Sequence, residues 1–179
     1  MKKISREWAM PNSKTFSIKP IENLIKQKVA EQRVFRTLTG GATIIDPFCN
    51  GRTDIADINN DLDPTVDADY HMDALDFLKT FEDNSIDGVL FDPPYSPRQV
   101  SECYKKLGKT VDMKTTQSSF WTKMKKEISR IVKPNGFCIT FGWNSGGIGA
   151  KYGFEIEEIM LVAHGGWHND TICTVEKKR

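Results

Sequence analysis

The run Ser85-Ile86-Asp87-Gly88-Val89-Leu90-Phe91 is followed at once by Asp92-Pro93-Pro94-Tyr95. The run reads as a β-strand, and two consecutive prolines cannot continue a hydrogen-bonded ladder. The chain must therefore fold around a strand that stops abruptly and delivers an acid, two rigid residues and an aromatic ring to its carboxyl end. Other short apolar runs alternate with helical periodicity. Residues 20–36 read as a helix with Ile21, Leu24, Ile25 and Val29 on one face and Pro20 in its first turn. Residues 42–46 read as a buried strand and residues 55–62 as a second. Short helices are expected over 74–79 and near 98–107, with a polar loop over 108–118. Phe120, Trp121, Met124, Ile128 and Ile131 mark an amphipathic helix. Pro134-Asn135-Gly136 is expected to turn into a strand over 137–141. Strands over 154–163 and 171–176, joined by residues 165–170, can form an antiparallel hairpin. Such alternation predicts an α/β sheet, mostly parallel, with ligands at the carboxyl ends of its strands.

The length of 179 residues suits one domain. The longest apolar runs, such as Ile159 to Ala163, fall far short of the ~20 residues of a spanning helix. The basic N-terminus lacks the apolar stretch of a signal peptide. Net charge is +1, which argues against a strongly basic nucleic-acid binder until the charges are mapped. Residues 1–36 carry +6, residues 42–92 carry −11, and residues 97–133 carry +7. An acidic centre flanked by basic segments suits a cationic or hydroxyl-rich ligand at the centre and an anionic partner on the flanks. It also fits ordinary solvated helix faces. Cys49, Cys103, Cys138 and Cys173 form no CxxC pair, and no His stands at a metal-ligand spacing from them. A reduced, cytosolic protein without a metal is the simplest reading.

At Asp92-Pro93-Pro94-Tyr95 the prolines remove backbone donors, so carbonyls and the Asp92 carboxylate remain as acceptors beside a ring. An exocyclic amino group on a planar base needs two acceptors and a stacking partner. The second constellation is Asp46-Pro47-Phe48-Cys49-Asn50-Gly51, also at a strand end. There an acid and a glycine let backbone approach a small ligand closely. Downstream, an acid of the run Asn60-Asp61-Leu62-Asp63 can accept from ribose hydroxyls, and Asp73 beside Ala74 from an adenine amino group. No GxGxxG is present, which favours a nucleoside-like, positively charged ligand over a dinucleotide. For Asp57, Asp63 and Asp76 a cap or turn role is preferred.

These motifs resemble those of the amino-methyltransferases that use S-adenosylmethionine, specifically DNA adenine-N6 methyltransferases of small bacteriophage or mobile-element type. Asp46 to Gly51 resembles their first cofactor motif, and Asp92 to Tyr95 their catalytic motif. Thr15-Phe16-Ser17-Ile18-Lys19-Pro20-Ile21 resembles the helix start that closes over the methionine end of the cofactor. The resemblance implies a single-domain, Rossmann-like class I methyltransferase fold: seven strands, mostly parallel, the last antiparallel. It implies S-adenosyl-L-methionine as cofactor. Phe16, Lys19 and Pro20 would line its methionyl end; Asp46, Pro47, Phe48, Asn50 and Gly51 the first loop; Asp61 the ribose; Asp73 and Ala74 the adenine. Asp92 and the Pro93 carbonyl would hold the target amine, with Pro94 fixing the loop and Tyr95 stacking on the base. Residues 1–36 become the cofactor-closing segment and residues 96–119 a substrate-contact loop and helix. A bacterial or phage-infected cytoplasm is the expected location.

Two departures stand out. Gly51 to Asp61 is too short for a full crossover helix, since a βαβ unit takes ~30 residues. Nor is there room for a separate target-recognition domain, which leaves sequence readout modest, or dependent on a homodimer or a partner. The expected partner is DNA, met by Arg98, Lys105, Lys106, Lys109 and Lys114 at phosphates, with affinity falling steeply in salt. Trp143, Asn144, Trp167 and His168 are candidates to help hold a base outside the duplex. The alternatives are an RNA base amino-methyltransferase acting on adenine-N6 or guanine-N2, and a non-catalytic cofactor- or nucleic-acid-binding module. A protein-glutamine methyltransferase is disfavoured, because that family usually has Asn at the first motif position.

Overall fold

A computed structural model describes residues 2–108 and 119–179. Its strands are β1 (Lys3–Trp8), β2 (Ile44–Asp46), β3 (Ile58–Asn59), β4 (Ile86–Phe91), β5 (Val132–Gly142), β6 (Phe154–Ala163) and β7 (Thr171–Lys178). Its α-helices are α1 (Lys19–Arg36), α2 (Ala74–Lys79), α3 (Pro97–Lys106) and α4 (Ser119–Ile131). The seven strands form one sheet in the order β3-β2-β4-β5-β7-β6-β1. Only β7 is antiparallel to its neighbours.

Apolar side chains cover both faces. On one, Ile21, Leu24, Ile25 and Val29 of α1 pack with Ile44, Leu90, Ile139, Phe141, Met160 and Val175. On the other, Phe77 and Leu78 of α2 and Met124, Ile128 and Ile131 of α4 pack with Ile45, Val89, Phe91 and Cys138. β4 is buried at every position, as a central parallel strand requires.

Three features depart from the sequence reading. The seventh strand is β1, which Lys3-Ile4-Ser5-Arg6-Glu7-Trp8 does not announce: most of its residues are exposed and it carries no apolar stripe. It joins the edge through parallel pairing with β6, from Lys3 opposite Glu158 to Trp8 opposite Ala163. Residues 134–136 do not precede the fifth strand but bulge within it. Val132 pairs with Ile86 and Phe137 with Gly88, and the left-handed Asn135 (φ 64°) lets the chain loop out between them. Lastly, β3 is only two residues long where the sequence predicts a strand over 55–62, while the first crossover, residues 47–57, contains no helix, as its shortness implies. A further parallel pairing shrinks to the single bridge Asn60–Tyr70.

The acidic centre is partly structural. Asp87 is fully buried and pairs with Arg36 Nε at 2.7 Å and Lys133 Nζ at 2.8 Å. It also accepts from Thr43 N at 2.9 Å. Asp57 accepts from Ile44 N at 2.8 Å and pairs with Arg33 at 2.8 Å. Asp87→Ala leaves two cations facing a buried gap, and an expected loss of about 3–5 kcal/mol in denaturant unfolding follows. A loss below about 1 kcal/mol would show that the network contributes little. Among the described residues, no helix is long and apolar enough to cross a membrane.

Candidate active site

The chain runs from β2 outward to β3 and returns to β4 on the other side of β2. This reversal opens a crevice at the carboxyl ends of β2 and β4, where open α/β sheets hold ligands. A cleft of ≈ 440 Å³ lies there. The 47–52 turn forms one part of its wall, the Asp92–Tyr95 loop another, and Ser13 to Phe16 a third; Asn60 to Asp63, Met72 to Ala74 and α3 complete it.

Two left-handed residues in succession, Asn50 (φ 46°) and Gly51 (φ 73°), make the first turn. Asn50 N donates to Asp61 Oδ2 at 2.8 Å, and its side-chain amide donates to Ser13 O at 3.2 Å. Asp61 also accepts from Asp63 N at 2.9 Å. Two bonds leave lone pairs free on a carboxylate that lines the cleft. Asp73 caps α2 through Leu75 N at 2.9 Å, and its other oxygen accepts from the Tyr104 hydroxyl. Fully buried Asn60 ties the loops together. Its amide donates to Pro47 O at 3.1 Å and Met72 O at 3.0 Å, while Met72 N donates back at 3.1 Å.

Asp46 is buried beneath this turn. One oxygen accepts from Phe48 N at 2.9 Å, and the other has no hydrogen-bond partner among the described residues. Burial pushes its carboxyl well above the usual range, and the charges of Asp92 and Asp61 push the same way. Asp46 supports the turn from below and is not part of the cleft wall.

At the Asp92–Tyr95 loop, the Tyr95 hydroxyl donates to Asp92 Oδ1 at 2.6 Å. Burial raises the Asp92 carboxyl to about 6, against hydrogen bonds from Tyr95 and Thr15 that favour its charged form. Burial and the Asp92 charge push the Tyr95 phenol far up, so it stays a donor. Tyr95 N donates to Gln99 Oε1 at 2.6 Å, and the ring meets Trp143 edge-on at 5.6 Å between centroids. Trp121 Nε1 donates to Pro94 O at 3.2 Å, while no donor among the described residues reaches the Pro93 carbonyl. The loop thus presents two acceptors, Asp92 and Pro93 O, with one proline carbonyl tied back to α4.

Arg52 joins the two sides of the cleft and was not singled out in the sequence. Its guanidinium donates to Phe16 O at 3.1 Å, Ser17 Oγ at 3.0 Å, Glu22 at 3.0 Å and Asp54 at 2.5 Å. Hydrogen bonds from Lys26, Arg52 and Lys19 hold Glu22 at about 2. The only signal in the sequence was its place as one of two cations, with Lys79, inside the acidic centre.

The other candidates divide. Phe16, Pro47, Phe48, Asn50, Asp61, Asp73, Ala74, Asp92, Pro93, Pro94, Tyr95 and Lys106 line the cleft. Gly51 lies in its turn but not on its wall. Lys19 and Pro20 instead line a separate groove between α1 and the β1 edge. Arg98 pairs with Glu102 on the exposed side of α3, next to Lys105 in its last turn. Lys109 and Lys114 lie outside the described residues. Trp143, Trp167 and His168 stand in exposed loops at the same end of the sheet, and Asn144 uses its side chain to accept from Gly146 N at 2.9 Å.

The sheet order, the single antiparallel strand and the crevice define the Rossmann-like fold of the methyltransferases. Among solved structures, the chain is similar to TrmN from Thermus thermophilus (TM-score 0.50, 13% identity, 83% of this chain). It spans about half of that protein's length, 48%. It is also similar to 1,6-didemethyltoxoflavin-N1-methyltransferase from Burkholderia thailandensis, solved with S-adenosylhomocysteine (TM-score 0.51, 8% identity, 89% of this chain and 81% of that one). At these identities the likeness is one of fold. No family model and no curated protein sequence matches the chain.

Proposed function

We propose that the protein transfers a methyl group from S-adenosylmethionine to the N6 amino group of adenine in DNA. One observation carries the reading: a partly buried acid, Asp92, and a carbonyl that no donor among the described residues reaches, Pro93 O, stand at the end of β4 in the cleft wall, with Tyr95 beside them. The cleft also suits the cofactor. Its wall combines Phe16 and Phe48 with the carboxylates of Asp61, Asp73 and Asp92, a set matched to an aromatic base, ribose hydroxyls and a sulfonium charge. When bound, S-adenosylmethionine supplies the activated methyl group.

The protein's own work is to hold the amine. An exocyclic amine is a weak nucleophile because its lone pair is conjugated into the ring. Asp92 and Pro93 O accept its two hydrogens and favour a geometry that localises the lone pair. Tyr95 and Trp143 supply aromatic surface for the base, and Thr15 and Tyr95 orient Asp92. Positioning of this kind supplies much of a rate enhancement. A radiolabelled methyl-transfer assay on DNA and on RNA, followed by nucleoside analysis, tests the proposal. N6-methyladenine formed in DNA is the expected product. Methylation of RNA alone would replace DNA as substrate, and binding of S-adenosylhomocysteine without transfer to either would leave a binding module.

A further inference from the structure

The chain has four tryptophans, and the fold brings all of them to the carboxyl end of the sheet. Trp121 is committed to the Pro94 carbonyl. The other three are solvent-facing: Trp143 is 43% exposed, Trp8 65%, and Trp167 fully so. Trp8 ends β1 opposite Ala163, the last residue of β6. Trp143 directly follows Gly142, whose partner Ile172 lies near the start of β7, and Trp167 stands in the hairpin turn between them. Along this edge the order is Tyr95, Trp143, Trp167, Trp8. The Trp8 indole lies over the hairpin, its Nε1 3.6 Å from where a Cβ on Gly165 would stand.

The hairpin base is held in place. His164 is buried and hydrogen-bonds Ala9 O at 2.8 Å and Thr171 Oγ1 at 2.9 Å, while His164 N donates to Asp170 at 3.0 Å. Residues 143–149 and 164–170 contain no Lys or Arg, so these loops present rings; the cation described beside them, Lys125, donates to Gly147 O. Cations stand at the cleft itself, where Lys14 and Lys106 line the wall.

Resting on the methyl-transfer reading above, we infer that the nucleic acid lies across this rim as an unpaired strand, with bases flanking the target stacked on Trp143, Trp167 and Trp8. From β4 to β1 is four inter-strand spacings, roughly 20 Å, or about six nucleotides at ~3.4 Å each. A duplex buries the faces of its bases and presents phosphates, for which the two rim loops, 143–149 and 164–170, carry no Lys or Arg of their own. A single strand presents the faces, and stacking on aromatic side chains tolerates any sequence. The rim is continuous with the cleft through the Tyr95–Trp143 contact.

The test is fluorescence anisotropy with one labelled sequence in three forms, single-stranded DNA, single-stranded RNA and fully paired DNA, at low and raised salt. The single strand should bind at least tenfold tighter than the duplex, and the preference should persist at raised salt. Trp167→Ala and Trp8→Ala should each weaken single-strand binding about 5- to 100-fold, with Trp167→Phe close to wild type and duplex binding unchanged. Single-stranded DNA against RNA identifies the source of the strand. Equal affinity for strand and duplex, or wild-type binding by both alanine variants, would overturn the inference. Calorimetry with S-adenosylhomocysteine separates this from the function itself. Trp167→Ala should bind it as wild type does, whereas a wild-type protein that does not bind it would defeat the methyl-transfer reading while the strand preference is read independently.

Discussion

Asp92→Asn should lower methyl transfer by about 10²- to 10⁴-fold, the range for loss of one positioned acid-base or charge-stabilising group. It should also make the protein more stable at neutral pH. Both effects have one cause. Burial raises the Asp92 carboxyl to about 6, so folding favours its protonated form. Below the unfolded value near 4 the acid is neutral in both states and costs nothing. As pH rises through about 6 the folded protein must carry a desolvated charge, and stability falls by up to about 3 kcal/mol. Asparagine carries no charge, and its carbonyl can still accept from the Tyr95 hydroxyl. Denaturant unfolding of the two proteins should therefore coincide near pH 4, separate between about pH 4 and 6, and differ by a constant amount above that, with the variant more stable. The same titration sets activity, since only the carboxylate accepts an amine hydrogen well. Wild-type kcat/KM should rise with pH through about 6 and then level. A variant no more stable than wild type at pH 8 would show that Asp92 is stabilised in its charged form. Full activity in that variant would remove Asp92 from the transfer step.

Much of this site was legible because its chemistry is local in sequence. Asp92 to Tyr95 and Asp46 to Gly51 follow strands whose apolar runs announce themselves, and parallel topology brings strand ends together. Helix α2 matches its expected span of 74–79, and β6 its span of 154–163. What escaped depends on contacts across the sheet. β1 is an edge strand whose exposed residues need no apolar period, so its pairing with β6 has no sequence signature. The turn at 134–136 was legible, but its place inside one continuous strand depends on register with β4. Arg52 and Asn60 look like ordinary polar loop residues, and their partners, Phe16 and Ser17 for one and Pro47 and Met72 for the other, appear only once the loops converge. The charge map carried real information and blurred two roles. Asp61, Asp73 and Asp92 line the cleft, whereas Asp57 and Asp87 of the same acidic segment neutralise cations of the basic flanks.

Arg52→Ala should weaken binding of S-adenosylhomocysteine about 10- to 100-fold in calorimetry. A single charge-assisted hydrogen bond contributes about 1.5–3 kcal/mol, and Arg52 makes several. Two of them, to Phe16 O and Ser17 Oγ, hold the 13–17 segment against the 47–52 turn. Without them Phe16 keeps its core packing, including Phe141 at 4.8 Å between centroids, and the segment keeps the Asn50–Ser13 bond as its described side-chain tie to the turn. The wall of the cleft must then be ordered when ligand binds, and that ordering is subtracted from affinity. The fork matters as well as the charge. One nitrogen reaches Phe16 and Ser17 while another reaches Glu22, which a lysine ammonium on a flexible stem cannot reproduce, so Arg52→Lys should recover only part of the loss. Asp92→Asn should leave affinity for S-adenosylhomocysteine within a few fold, because that thioether carries no sulfonium charge for the carboxylate to meet. The two variants thus separate binding from transfer. An Arg52→Ala protein that binds as tightly as wild type would mean that the cleft wall holds its shape without the clamp.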